Sequence, residues 1–294
     1  MEADRVTIAV VDQSAHDLAD TYDCIQAACK RSAIDLVIWT EPTSATVDAI
    51  VAMDPVPLAA IAQGVVVLGR RTMNRAVRLM AAAESGVRTA RWQCAVDVAS
   101  SNHGDRSLCV LKNDWSFGRR GVSLVDFTDD WQSTVGNGDV LMERLAEDSR
   151  TFKLDLLCGS TVGSWGLNTR PLEDVAFRDP TGEPFLWHCP DTVKAAAERL
   201  SRMLIDRGVG YMSVDYMRTR GGYRAIELNT CSAGRMIPWS RWGADYVMGC
   251  YRGLQRLAQR LRTSSPVTVS VLTAVERASH EELSAAEPDE DRDP

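Results

Sequence analysis

The chain has 294 residues, 45% hydrophobic and 25% charged, with a formal net charge of −7 at pH 7. That is room for one large domain or two to three small ones, in the composition of a globular protein. The acidic balance argues against a nucleic-acid partner, and no run of about 18 apolar residues offers a membrane span.

Residues 6–12 are a continuous apolar run that predicts a buried strand, preceded by an acidic N-terminus that does not read as a signal peptide. Residues 16–31 carry Leu18, Tyr22, Ile25 and Cys29 at helical spacing. A strand is expected at 35–40, a helix at 44–53 and a third strand at 64–70. This alternation predicts a small parallel α/β unit, and without Gly-x-Gly-x-x-Gly a dinucleotide site has no local support. Thr72 is placed to cap a helix over 73–85 that Gly86 ends. Strands are expected at 107–114 and 121–127 around the loop 115–121, then at 139–146 and 152–165. The clearest helix is 191–208, with Val193, Ala197, Leu200 and Leu204 as its stripe. A second amphipathic helix is expected at 243–262, and 281–294 has the composition of a disordered tail. The eight cysteines are scattered without a Cys-x-x-Cys pair, as reduced thiols of a cytoplasmic protein would be. Only four of the 33 Lys and Arg residues are lysine (Lys30, Lys112, Lys153 and Lys194), so each is worth placing.

Between the last two helices, residues 213–230 read SVDYMRTRGGYRAIELNT. Two alternating runs flank Arg220-Gly221-Gly222, the signature of a hairpin. A three-residue loop at 220–222 pairs 219 with 223, 217 with 225 and 215 with 227. Asp215 then faces Glu227 with Cβ atoms roughly 4.5–5.5 Å apart, where like charges destabilise a sheet. Asn229 lies on the same face as Glu227. One reading is an exposed face with both acids solvated. The other is a divalent cation site, because Mg2+ is held by one or two carboxylates plus substrate phosphates, and Asn229 adds a neutral oxygen.

A strand lysine, a glycine-bearing loop, a later basic strand residue and a closing Asp-x11-Glu-x-Asn follow in that order. This order resembles the ATP-grasp superfamily, and within it the D-alanine–D-alanine ligase and ribosomal-protein-glutamate-ligase branches. The likeness covers about residues 70–260, and Ile226-Glu227-Leu228-Asn229-Thr230-Cys231-Ser232-Ala233-Gly234 is its most specific part. It implies an α/β protein of ATP-grasp fold, with α+β subdomains behind a small N-terminal parallel α/β pre-ATP-grasp domain. The implied boundaries are 1–71, 72–136 and 137–276, with a tail at 277–294.

The resemblance also implies roles. Asp215, Glu227 and Asn229 would hold Mg2+, with Mn2+ as a substitute. Lys112 would contact the phosphates of ATP, and the loop 115–121, through Ser116, Gly118 and Gly121, would cover them. Glu143, Arg144 and Leu145 would hold the adenine ring. Lys153 and Arg170 would face the γ-phosphate and the acyl-phosphate. Ser232, Gly234 and Arg235 would anchor a substrate carboxylate. Plainer readings stand beside these: a surface lysine at 112, an ordinary turn at 115–121, a solvated acid at 143, surface ion pairs at 153 and 170. Where the family has Asp-Lys at the start of its first central helix, this chain has Asn74-Arg75, so Arg75 would take over that phosphate contact. Where D-alanine–D-alanine ligases place an Arg two residues before the metal Asp, this chain has Ser213.

The implied activity is ATP-dependent carboxylate–amine ligation on a small amino-acid-like substrate through an acyl-phosphate, in specialised metabolism such as antibiotic biosynthesis. Rival readings are a ring-closing ligase of the D-cycloserine-forming kind, a non-catalytic ATP-binding regulator, and a ligase that extends peptides. The expected setting is cytoplasmic, without membrane or nucleic acid, and a homodimer is compatible with the sequence.

Overall fold

The computed structural model describes residues 5–12, 18–40, 47–53, 66–68, 73–101, 108–114, 122–125, 131–145, 149–171, 178–230 and 243–263. Their strands make three sheets. The first is all parallel, built from β1 (Val6–Val11), β2 (Ile34–Trp39), β3 (Ala49–Ala52) and β4 (Val66–Leu68) in the order β2-β1-β3-β4. Helix α1 (Ala19–Lys30) connects β1 to β2 and buries Tyr22, Ile25 and Cys29, the stripe read from the sequence. The described part of the helix expected at 44–53 is not helical: β3 runs over Ala49–Ala52, with all four residues buried between β1 and β4, and 44–46 lie outside the described residues. A short apolar run carries neither a helical nor a strand period, and with β-branched Ile50 and Val51 the two neighbouring strands decide.

The second sheet is antiparallel: β5 (Trp92–Cys94), β6 (Leu108–Lys112), β7 (Val122–Leu124) and β8 (Val140–Glu143), in the order β5-β8-β6-β7. Helix α2 (Arg75–Glu84) precedes it and α3 (Ala95–Ser101) follows β5. Thr72 lies outside the described residues. Asn74 is the cap, its side chain accepting from the Ala76 N–H at 2.8 Å. Gly86, at φ +80°, ends the helix as expected.

The third sheet is antiparallel and holds β9 (Arg150–Leu157), β10 (Ser160–Pro171), β11 (Arg178–Leu186), β12 (Tyr211–Thr219) and β13 (Gly222–Asn229), in the order β11-β10-β9-β12-β13. The single strand expected at 152–165 is two strands, folded back at Cys158 (φ 44°) and Gly159 (φ 80°). Gly159 is the one turn residue between Leu154-Asp155-Leu156-Leu157-Cys158 and Ser160-Thr161-Val162, too little to break the strand reading. The β12–β13 hairpin also departs from expectation. Its register runs from Thr219↔Gly222 to Tyr216↔Ala225 and then Asp215↔Glu227, so the loop has two residues, Arg220 and Gly221. Ile226 is the extra residue of a bulge, which shifts the register by one and restores the opposition of 215 and 227.

Helix α4 (Asp191–Ile205) and α5 (Gly243–Thr263) complete the chain described. The second and third sheets share one core, in which Leu79 and Ala82 of α2 and Leu200 and Leu204 of α4 meet Val110, Met142, Leu154, Met212 and Leu228. A separate core joins the first sheet and α1 to Tyr246, Cys250, Leu254, Leu257 and Ala258 of α5. Helix α5 lies directly on backbone there: a Cβ at Gly249 would collide with the Thr161 carbonyl, and one at Gly253 with the Leu157 carbonyl. Among the described residues no helix is long and apolar enough to cross a membrane.

Candidate active site

One face of the third sheet carries a row of four side chains. Lys153 of β9 is the register partner of Trp165 on β10 and of Asp215 on β12, and Asp215 in turn is the partner of Glu227 on β13. Directly paired residues share a face, so Trp165, Lys153, Asp215 and Glu227 stand side by side. The next row on that face is Gly163, Asp155, Ser213 and Asn229. The Lys153 Nζ lies 3.4 Å from Asp215 Oδ1, and the Asn229 amide donates to Asp215 Oδ2 at 3.1 Å. Asp155 is buried and accepts from the Trp165 indole N–H and from the Tyr211 hydroxyl, each at 2.9 Å.

Helix α2 and strand β6 bring three more cations to β13. The Arg75 guanidinium is 3.7 Å from Glu227 Oε1. Lys112 donates to the carbonyl of Ile226, the bulge residue, at 2.7 Å, and Arg78 donates to the Leu228 carbonyl at 2.7 Å. Arg75 and Lys112 are buried, at 4% and 9% exposure. A chain of acceptors sets the start of α2. The Arg75 N–H donates to Asp114, whose own N–H donates to Asp139 at 2.7 Å, and Asp139 also accepts from the Asn113 amide and the Gly136 N–H. A shallow cleft runs between Arg75, Arg78, Leu79 and Met142 on one side and Ile226, Glu227 and Leu228 on the other.

The charges divide the two carboxylates. Burial pushes the Asp215 carboxyl up from 3.8 to about 6, with Glu227 and Asp155 adding to the rise against Lys153. Burial also works against a charged Glu227, but Lys112, Arg75, Lys153 and Arg78 outweigh it and hold that carboxyl below its ordinary value. Lys112 is lowered chiefly by burial, while for Lys153 the nearby Asp215, Asp155 and Glu227 overcome burial and raise it. Two opposed carboxylates with an amide oxygen beside them suit a hard, oxygen-seeking divalent cation. Among the described residues no group of three or more His, Cys, Asp or Glu could hold a metal. Two carboxylates and an amide oxygen would be the protein's share of an Mg2+ site whose other ligands come from phosphate.

The structure brings together Arg75, Lys112, Lys153, Asp215, Glu227 and Asn229. It does not bring the Arg170 backbone to them: that residue pairs with Asp179 near the far end of β10, beyond the last β9 pair at Asn168↔Arg150. Glu143 accepts from Arg91, Arg144 is exposed, and Leu145 packs against the shared core. Ser116, Gly118, Gly121, Ser232, Gly234 and Arg235 lie outside the described residues, as does the tail at 281–294. Two residues of the site escaped sequence reading. Arg78 could have been found, because it sits one helical turn after Arg75. Asp155 could have been found only with the β9–β12 pairing in hand.

No protein-family model matches the chain, and no curated protein matches it. Among solved structures, the ATP-grasp ligase PsnB complexed with minimal precursor is similar at 13% identity with a TM-score of 0.53, over 86% of this chain and 100% of that one. The same ligase complexed with a phosphomimetic variant of minimal precursor, Mg and ADP is similar at 14% identity and 0.52, over 88% and 99%. D-cycloserine synthetase DcsG follows at 15% identity and 0.49, over 87% and 99%. The chain has the ATP-grasp fold.

Proposed function

We propose that the protein is an ATP-dependent carboxylate–amine ligase that acts on a small, amino-acid-like substrate through an acyl-phosphate. The observation that carries this reading is the gathering of Lys112, Arg75, Lys153 and Arg78 around Glu227, with Lys153 also paired to Asp215. Arg78 also pairs with Asp114 and Lys153 stands beside Asp155, and a cluster of cations this dense beside an acid pair is disposed for polyphosphate with its metal ion. Asp215, Glu227 and Asn229 would hold Mg2+, which would supply neutralisation of phosphate charge. Lys112 and Arg75 would bind the nucleotide phosphates, and Lys153 would face the γ-phosphoryl group. Lysine suits that place, because a point cation follows moving phosphoryl charge. The loop 115–121 and Ser232, Gly234 and Arg235 enter the proposal on sequence alone, as cover for the phosphates and anchor for the carboxylate.

In the reaction proposed, a substrate carboxylate oxygen attacks the γ-phosphorus and ADP leaves. An amine then attacks the acyl carbon, phosphate leaves, and the amine proton passes to water. No side chain has to act as a covalent nucleophile. PsnB is complexed with a peptide precursor PsnA2 in one of its structures, so a peptide carboxylate is the second substrate class to try. The test is ATP turnover in the presence of amino acids, their D-isomers and short acidic peptides, with 18O in the substrate carboxylate. ADP and 18O-labelled phosphate are expected. AMP with pyrophosphate, or label retained wholly in the product, would overturn the acyl-phosphate route. ATP binding without turnover on any of these substrates would favour the regulator.

A further inference from the structure

We infer that Trp165 and Asp155 are positioning residues for Lys153. The inference rests on the reading of Lys153 as the γ-phosphate lysine, and it adds what aims that lysine.

Lys153 has a register partner on either side: Asp215 on β12 and Trp165 on β10. Its Nζ lies 3.4 Å from Asp215 Oδ1 and 5.4 Å from the centre of the Trp165 ring, over the ring face. The ammonium is thus held between a carboxylate and an aromatic wall, and a cation over an indole face is attracted by its negative quadrupole. The wall itself is fixed. Trp165 is 5% exposed, and its indole N–H donates to Asp155 Oδ2 at 2.9 Å. The other Asp155 oxygen accepts from Tyr211 at 2.9 Å. Asp155 is two residues from Lys153 on the same strand and face, so carboxylate, indole and ammonium are braced by one piece of sheet.

Tryptophan meets both requirements here, a ring face for the cation and an N–H for the acid beneath it. Phenylalanine keeps the face and loses the N–H that sets its plane; leucine loses both. Asp215 attracts Lys153 without fixing its direction, because a carboxylate accepts over a wide arc. The ring stands on the side away from Asp215, so the ammonium is bounded on both sides within its row.

The chain has four lysines, so 13Cε-lysine labelling yields a four-signal spectrum in which K153Q identifies Lys153. In the resting protein the Lys153 Hε signal is expected upfield of the other lysines because of the indole ring current. W165L should abolish that displacement and W165F should reduce it. A Lys153 signal unmoved by W165L overturns the inference whatever the kinetics show. In turnover, W165L should lower kcat by about ten- to thirty-fold, with W165F between it and wild type. KM for ATP should stay within about two-fold, because the misplaced group acts in the transition state. In a K153Q background, replacing Trp165 should change residual turnover by less than about two-fold. A loss in W165L that persists undiminished in K153Q, or a rise in KM alone, would assign Trp165 a packing role only. D155N, which keeps an acceptor for the indole, should stay closer to wild type than W165L. Full turnover in K153Q itself would overturn the role given to Lys153, and the NMR comparison would still decide whether Trp165 aims it.

Discussion

Asp215 is the acid whose charge the fold accommodates least. Its carboxyl is raised by burial to about 6, so in the folded protein the protonated form is favoured relative to an unfolded carboxyl near 3.8. The sign follows: the stability this group contributes is full below pH 3.8 and is lost as pH rises through about 6. D215N should therefore leave the metal-free protein no less stable above pH 7, and each kcal/mol recovered is worth about 2–4 °C in Tm for a chain of this size. The same variant should lose the rise in Tm that Mg2+ or Mn2+ gives the wild type. Protons compete for the group, so Mn2+ affinity in the wild type should fall as pH drops through about 6. Thermal melts with Mn2+ or chelator across pH 5–8 check all three. A metal-induced Tm rise surviving in D215N would remove Asp215 from the metal site.

The bulge at Ile226 absorbs one residue between the hairpin loop and the acids of β13 and presents its carbonyl to Lys112. Deleting Ile226 would keep Ala225 opposite Tyr216 and Glu227 opposite Asp215, but would remove the carbonyl that Lys112 donates to. That variant should keep the metal-induced rise in Tm and lose turnover through a displaced Lys112. A glycine inserted after Gly221 lengthens only the loop and should keep activity within about three-fold, since loop length costs little. Full turnover after the deletion would mean that the Ile226 carbonyl does not place Lys112. The hairpin also shows what could be read in advance. Alternation along a strand is local, so the shared face of Glu227 and Asn229 was legible. Which strand lies alongside is not local, so Asp155 joined the site only through β9, whereas Lys153 had come by resemblance alone. The loop was misjudged because Gly221 and Gly222 both look like turn residues. Gly222 is in fact the first strand residue, at φ +102°, a conformation glycine permits. The two one-residue offsets cancelled, which is why the acid pair was right although the loop was not. The β3 stretch failed for another reason: four apolar residues hold too little pattern for any period to show.

Helix α5 ties the molecule together, and its contact depends on two glycines one turn apart. Gly253→Val would drive a branched side chain into the Leu157 carbonyl and the Cys158 side chain. Core overpacking of this kind costs about 1–3 kcal/mol, and backbone contact puts this case at the upper end. A Tm drop of several degrees with the KM for ATP unchanged is expected, because α5 contributes none of the cations of the cleft. An unchanged Tm would mean that the helix lifts off the sheet at no cost. The same seam sets a condition on biosynthesis. The apolar faces of β1, β3 and α1 close onto Tyr246, Cys250 and Leu254, so these elements leave the ribosome well before the helix that completes them. Until residues 243–263 emerge, that nascent surface has to be shielded by chaperones or by the ribosome itself, and translation speed over the intervening sequence becomes a determinant of yield.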